Sequence, residues 1–139
     1  MSGKRSERTG AGVYLANGTL LNCTVADNTH VSATAAAGVY QSGGNIVNTL
    51  LWHNTSVDFA APATNATASL LGEVDPRFET RPGRAYWLAK GSPCVNAGTN
   101  LNWTATDIDL AGRRRIVSRV VDIGCFEQPL DPGTILSVR

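Results

Sequence analysis

The sequence predicts an all-β parallel solenoid: a short parallel β-helix of about two to four coils with an irregular C-terminal capping region. Three observations carry that prediction. First, Gly12-Val13-Tyr14 recurs as Gly38-Val39-Tyr40, an offset of 26 residues, and seven of the 18 positions from Gly12 to Thr29 are identical to their counterparts. Average residue usage would give about one identity. Second, the repeated segments are short, rich in β-branched residues and punctuated by Gly and Asn, with none of the i, i+3, i+4, i+7 spacing of a helical repeat. Third, asparagines recur at the same offset, Asn22 with Asn48 and Asn28 with Asn54. Coils of a parallel solenoid stack about 4.8 Å apart, so residues one repeat apart lie over one another. Stacked amides then form ladders, each offering a donor and an acceptor, at corners whose left-handed backbone Asn tolerates.

In chain order, residues 1–9 read as a flexible leader, 10–74 as coils, 75–128 as the cap and 129–139 as a tail. Strands are expected over 12–15, 20–25, 38–41 and 46–51. Alternation places Leu21, Cys23 and Val25, with Val47, Thr49 and Leu51, on the inward face. The other face takes Asn22, Thr24, Asn48 and Leu50. The stretch from Asp58 to Thr67 reads as a loop or an irregular coil, and Ser69-Leu70-Leu71-Gly72 as one more short strand. Beyond Asp75-Pro76 the repeat is lost. Tyr86-Trp87-Leu88 and Val120 to Ile123 read as strands of a region that folds over the end of the solenoid.

Composition narrows the function classes. A chain of 139 residues has the size of one domain. Its content of 42% hydrophobic and 17% charged residues argues against disorder. The net charge of +1 argues against a dedicated nucleic-acid surface, and Arg113-Arg114-Arg115 reads as a solvated or carboxylate-paired turn. No segment approaches the roughly 18 apolar residues of a membrane span. The N-terminus lacks the apolar core of a secretory signal.

The coils and the motifs that follow them resemble a known family. Asp75-Pro76-Arg77-Phe78, Gly91-Ser92-Pro93-Cys94-Val95-Asn96-Ala97-Gly98, Thr106-Asp107-Ile108-Asp109, Arg115-Ile116-Val117 and Val121-Asp122-Ile123-Gly124-Cys125-Phe126-Glu127 occur in that order. Together with the coils, they are similar to the C-terminal region of secreted bacterial proteins of the choice-of-anchor Q domain type, with the right-handed pectate-lyase-like β-helix fold. This chain departs from the family pattern at Asn96, at Leu110-Ala111-Gly112 and at Cys125. The resemblance implies an extracellular or cell-surface parent protein with further coils upstream and an anchoring signal downstream. A short piece of it would expose open strand edges at the N-terminal coil and invite edge-to-edge homo-oligomerisation.

The resemblance also brings Cys94 and Cys125 into neighbouring motifs. In a secreted context a Cys94–Cys125 disulfide is then the preferred reading, against two buried free thiols. Cys23 reads as a small buried hydrophobe. Asp107 and Asp109 ahead of Gly112 look like the start of a calcium loop, but the closing bidentate Glu is missing. The competing reading is a turn in which one of these carboxylates caps backbone N–H groups and pairs with Arg114 or Arg115. The two histidines, His30 and His53, lack short Cys/His spacing, which argues against zinc, and no cofactor is expected. His53 aligns with Asp27 across the repeat, so the two are expected to stack as a surface pair.

The enzymes of this fold are polysaccharide lyases and hydrolases, which place a base or paired carboxylates along a coil face. Here Asp27 is the only carboxylate of the two clear coils, and no Lys or Arg lies between Thr9 and Arg77. A fragment of such an enzyme, with its catalytic coils elsewhere, remains one alternative; a self-associating adhesive module is another. Tyr14, Tyr40, Trp52, Trp87 and Trp103 are the candidates for glycan contact, through rings that join an apolar face to a polar tip. Their structural alternative is a tyrosine stack plus core-filling tryptophans. The reading as a whole is a non-catalytic module that closes a β-helix and contacts polysaccharide or a protein partner.

Overall fold

The computed structural model describes residues 12–31, 35–61, 64–103 and 105–129. The expected leader, residues 1–9, and the tail beyond 129 lie outside the described residues. Nine strands and no helices occur among the described residues. They are β1 (Val13–Leu15), β2 (Thr19–Leu21), β3 (Thr24–Ala26), β4 (Ala36–Gln41), β5 (Asn45–Val47), β6 (Leu50–Trp52), β7 (Val57–Ala60), β8 (Ala66–Thr67) and β9 (Leu70–Leu71). The chain visits three sheets in rotation and repeats the circuit three times. The sheets are β1-β4-β7, β2-β5-β8 and β3-β6-β9, with every pair parallel. This topology is compatible with a β-helix-like solenoid.

The first two circuits stack in the register that the repeat requires: Tyr14 pairs with Tyr40, Leu20 with Ile46 and Val25 with Leu51. The third circuit comes sooner. Val39 pairs with Phe59, Ile46 with Ala66 and Leu50 with Leu70, an offset of 20. Nine residues join β3 to β4, but four join β6 to β7, and an irregularity between Ala36 and Val39 takes up one more. Residues 58–67, expected as a loop or an irregular coil, therefore hold most of β7 and all of β8.

Leu15, Val25, Val39, Ile46 and Leu51 form the inner core, flanked by Val13, Leu20, Phe59, Ala66 and Leu71. Leu20 and Ile46 are in it, whereas the expected Leu21 and Val47 are not. The reason is the corner between the second and third sheets. Asn22 and Asn48 adopt left-handed backbone (φ 47° and 49°), which resets the alternation between β2 and β3 and between β5 and β6. Close stacking also explains the recurring glycine: a Cβ on Gly38 would lie 2.2 Å from the carbonyl oxygen of Asp58.

Leu50 and Trp52 point away from the inner core, because neighbours in a strand face opposite ways. With Leu70 they meet Leu88, Cys94 and Ile123, and Phe78 and Val95 pack at the margin. The C-terminal segment thus lies along the outer face of the third sheet, rather than over the end of the stack as expected. It is irregular, with antiparallel bridges only at Phe78–Leu88 and Ile108–Arg114 among the described residues. Neither expected strand forms. Tyr86 is left-handed (φ 64°), and the N–H groups of Val121 and Asp122 bond to the side chains of Asn100 and Glu127 instead of a strand partner.

Candidate functional site

Two asparagine ladders mark the corners. The Nδ2 of Asn48 donates to Asn22 Oδ1 at 3.3 Å and to the Thr99 carbonyl at 2.9 Å, while its Oδ1 accepts from Thr99 N–H at 2.7 Å. The same side chain therefore joins two circuits and ties down the C-terminal segment. In the second ladder, both the backbone N–H and the amide of Asn28 donate to Asn54 Oδ1, at 3.0 and 2.9 Å. Asn54 in turn donates to the Val25 carbonyl at 2.9 Å and to Asp58.

The five aromatic candidates do not form one surface. Tyr14 and Tyr40 project outward between inward-facing neighbours, with ring centroids 5.5 Å apart and planes 13° apart. Tyr14 is 57% exposed, and Ala60 occupies the next position of the column. Trp52 is half-buried under the C-terminal segment. Trp87 is taken up by Arg84 at 4.5 Å, Arg113 at 4.0 Å and Phe126 at 5.4 Å. Trp103 lies 5.6 Å from the Arg115 guanidinium. The tyrosine pair alone retains the character of a platform.

The expected Cys94–Cys125 disulfide is not formed, and all three cysteines are free. Cys94 is enclosed with Leu50, Leu88 and Ile123, and burial pushes its thiol up to about 11. Cys125 lies on the coil side instead, its N–H donating to Thr24 Oγ1 at 3.2 Å.

Asp109 caps backbone groups. Its buried carboxylate accepts from the N–H groups of Ala111, Arg113 and Glu127 at 2.8–2.9 Å and from Arg113 Nη2 at 3.0 Å. Its charged partner is therefore Arg113, not Arg114 or Arg115. Asp107 contributes its carbonyl to Arg115 N–H at 2.7 Å. No group of three or more His, Cys, Asp or Glu suited to a metal occurs among the described residues. Alongside lies a buried pair, Arg115 Nη1 with Glu127 Oε1 at 3.0 Å, the side chains 7% and 1% exposed. Glu127 Oε2 also accepts from Asp122 N–H at 2.9 Å. Burial pushes the Glu127 carboxyl up to about 7.

The expected stack of Asp27 and His53 is present, and a third member joins it. His53 Nδ1 lies 2.7 Å from Asp27 Oδ1, and Tyr86 donates its hydroxyl to Asp27 Oδ2 at 2.9 Å. The bonds from His53 and Tyr86 hold the Asp27 carboxyl below its ordinary range, and the same carboxylate raises the Tyr86 phenol. All three residues have left-handed backbone, with φ of 56°, 57° and 64°. The repeat register pointed to the pair; nothing in the sequence pointed to Tyr86, which approaches from a separate, irregular segment. No described helix is long and apolar enough to cross a membrane. Compared with known proteins, the chain matches no family model, no curated protein and no solved structure.

Proposed function

We propose that this chain is a right-handed parallel β-helix module of a secreted or surface-attached bacterial protein, structural in its main role and contacting glycan through Tyr14 and Tyr40. The observation that carries the glycan reading is the exposed, nearly parallel tyrosine stack. Tyr14 is more than half exposed, so part of its ring is open to a pyranose. The order of the C-terminal motifs supports the family assignment, and the rotation of the chain through three parallel sheets supports the β-helix.

Retention on a panel of insoluble polysaccharides tests the reading. Wild type is expected to bind at least one member, and Tyr14→Ala to weaken that binding about tenfold, the upper range for one aromatic contact. Trp87→Phe is expected to leave it unchanged. No retention of wild type on any member sinks the glycan reading. Edge-to-edge self-association is favoured by a separate observation: β1, β2 and β3 each form a sheet edge among the described residues and carry no Lys or Pro to block pairing. Light scattering across a concentration series then gives a dimer or larger species.

A further inference from the structure

We infer that Asp27, His53 and Tyr86 form a proton-transfer site that hydrolyses carboxylic esters, such as O-acyl groups carried on a polymer, with His53 as the catalytic base. The inference is independent of the tyrosine platform and goes beyond the structural role. Ionised Asp27 only accepts hydrogen bonds, so a 2.7 Å contact with His53 Nδ1 requires that nitrogen to be the donor. The lone pair of a neutral imidazole is then on Nε2, on the far side of the ring from Asp27. This arrangement, a carboxylate fixing the tautomer of a histidine, is what a general base needs. Tyr86 secures the other carboxylate oxygen at 2.9 Å, so Asp27 is held from two directions.

The same left-handed backbone found at the other corners carries these side chains. Three residues other than glycine, from three separate segments, converge here in left-handed conformation. The His53 side chain is 78% exposed and that of Asp27 49%. The site therefore suits a group presented by a large molecule better than a small ligand that must be enclosed.

In the step proposed, His53 Nε2 takes a proton from water as the water oxygen bonds to the ester carbonyl carbon. The tetrahedral adduct then expels the alkoxide, which takes that proton from Nε2. Ester and water give carboxylic acid and alcohol, and His53 returns to its starting state. Asp27 acts as a positioning residue throughout.

The full chain with p-nitrophenyl acetate provides the test. Wild type is expected to exceed His53→Asn by about 100-fold, the low end for general-base catalysis; Asn suits the left-handed backbone at this position. His30→Gln is expected to retain the wild-type rate. Two-bond ¹⁵N–¹H correlation spectra are expected to show one His53 tautomer, protonated at Nδ1, in wild type and a mixture in Asp27→Gly. Equal rates for wild type and His53→Asn overturn the inference, as does a tautomer mixture in wild type.

Discussion

The stacked circuits and the C-terminal segment solve the same problem with different chemistry. In both, buried backbone N–H and C=O groups need partners. The circuits supply them chiefly through parallel ladders between strands, with uncharged Asn, Thr and Gln side chains at most corners and Asp58 accepting from Asn54 N–H; no Lys or Arg occurs from Thr9 to Pro76. The C-terminal segment has almost no ladder, so it relies on carboxylates. Asp109 receives three N–H groups, Asp122 receives those of Asn96 and Gln128, and Glu127 receives that of Asp122. Arg113 and Arg115 balance the resulting buried charge. Periodic structure lets a chain remain neutral inside, whereas an irregular chain needs strong acceptors and therefore counter-ions.

The sharpest way to break this contrast is to remove one counter-ion. Arg115→Met keeps the volume of the side chain but leaves Glu127 buried without its guanidinium. The expected loss is about 3–5 kcal/mol of stability at neutral pH, read from the midpoint of chemical denaturation. The double variant Arg115→Met, Glu127→Gln is expected to recover much of it, because the uncompensated charge is gone. A loss below about 1 kcal/mol for the single variant would show that the segment does not depend on this charge pair.

A smaller effect is expected where the two regions meet. Asn48 joins the neutral ladder to Thr99 of the C-terminal segment. Asn48→Gly keeps the left-handed corner free of strain and removes only the amide; a loss of about 2 kcal/mol is expected from the buried groups left unpaired. Asn48→Ala adds the cost of a Cβ at φ 49°, about 1 kcal/mol more. Equal losses for Gly and Ala would mean that the backbone conformation of the corner contributes nothing.

The same contrast explains what the sequence revealed. The first two circuits were legible down to residue pairs, since an uninterrupted offset of 26 turns sequence identity directly into stacking. The third was only partly visible because a shorter connection changed the offset to 20: Leu70 and Leu71 repeat Leu50 and Leu51 and read as a short strand, whereas Phe59 and Ala66 match Val39 and Ile46 only in hydrophobic character. The corner asparagines were visible as a ladder, but their left-handed φ moved Leu21 and Val47 out of the core. In the C-terminal segment the ordered motifs named Asp109, Arg115, Asp122 and Glu127 without indicating their partners. Those partners are set by tertiary contact across up to 26 positions of irregular chain, for which no periodicity exists. Asp27 and His53 were accessible through the register. Tyr86 was not.

The last expected effect is a pH dependence carried mainly by the charged region. Burial raises the Glu127 carboxyl from 4.5 to about 7, with neighbouring Asp122 adding to the rise; burial also raises Asp122. A raised carboxyl binds its proton more tightly in the folded state. Between about pH 4.5 and 7 the folded chain therefore holds more protons than the unfolded one, and its stability falls as pH rises through that window. Asp109 acts oppositely: burial would raise it, but the N–H groups of Glu127 and Arg113 and the Arg113 charge outweigh that and hold it low. Its contribution is present above 3.8, its ordinary value, and is lost as pH falls through the lower folded value. Stability should thus peak near pH 4–5 and decline toward pH 7 as the buried Glu127 carboxyl is made to ionise. Glu127→Gln is expected to flatten the decline, whereas Asn48→Gly shifts the whole curve without changing its slope, because the ladder carries no titrating group. A slope that survives Glu127→Gln would place the titration elsewhere and remove the distinction between a neutral and a charged solution to the same backbone problem.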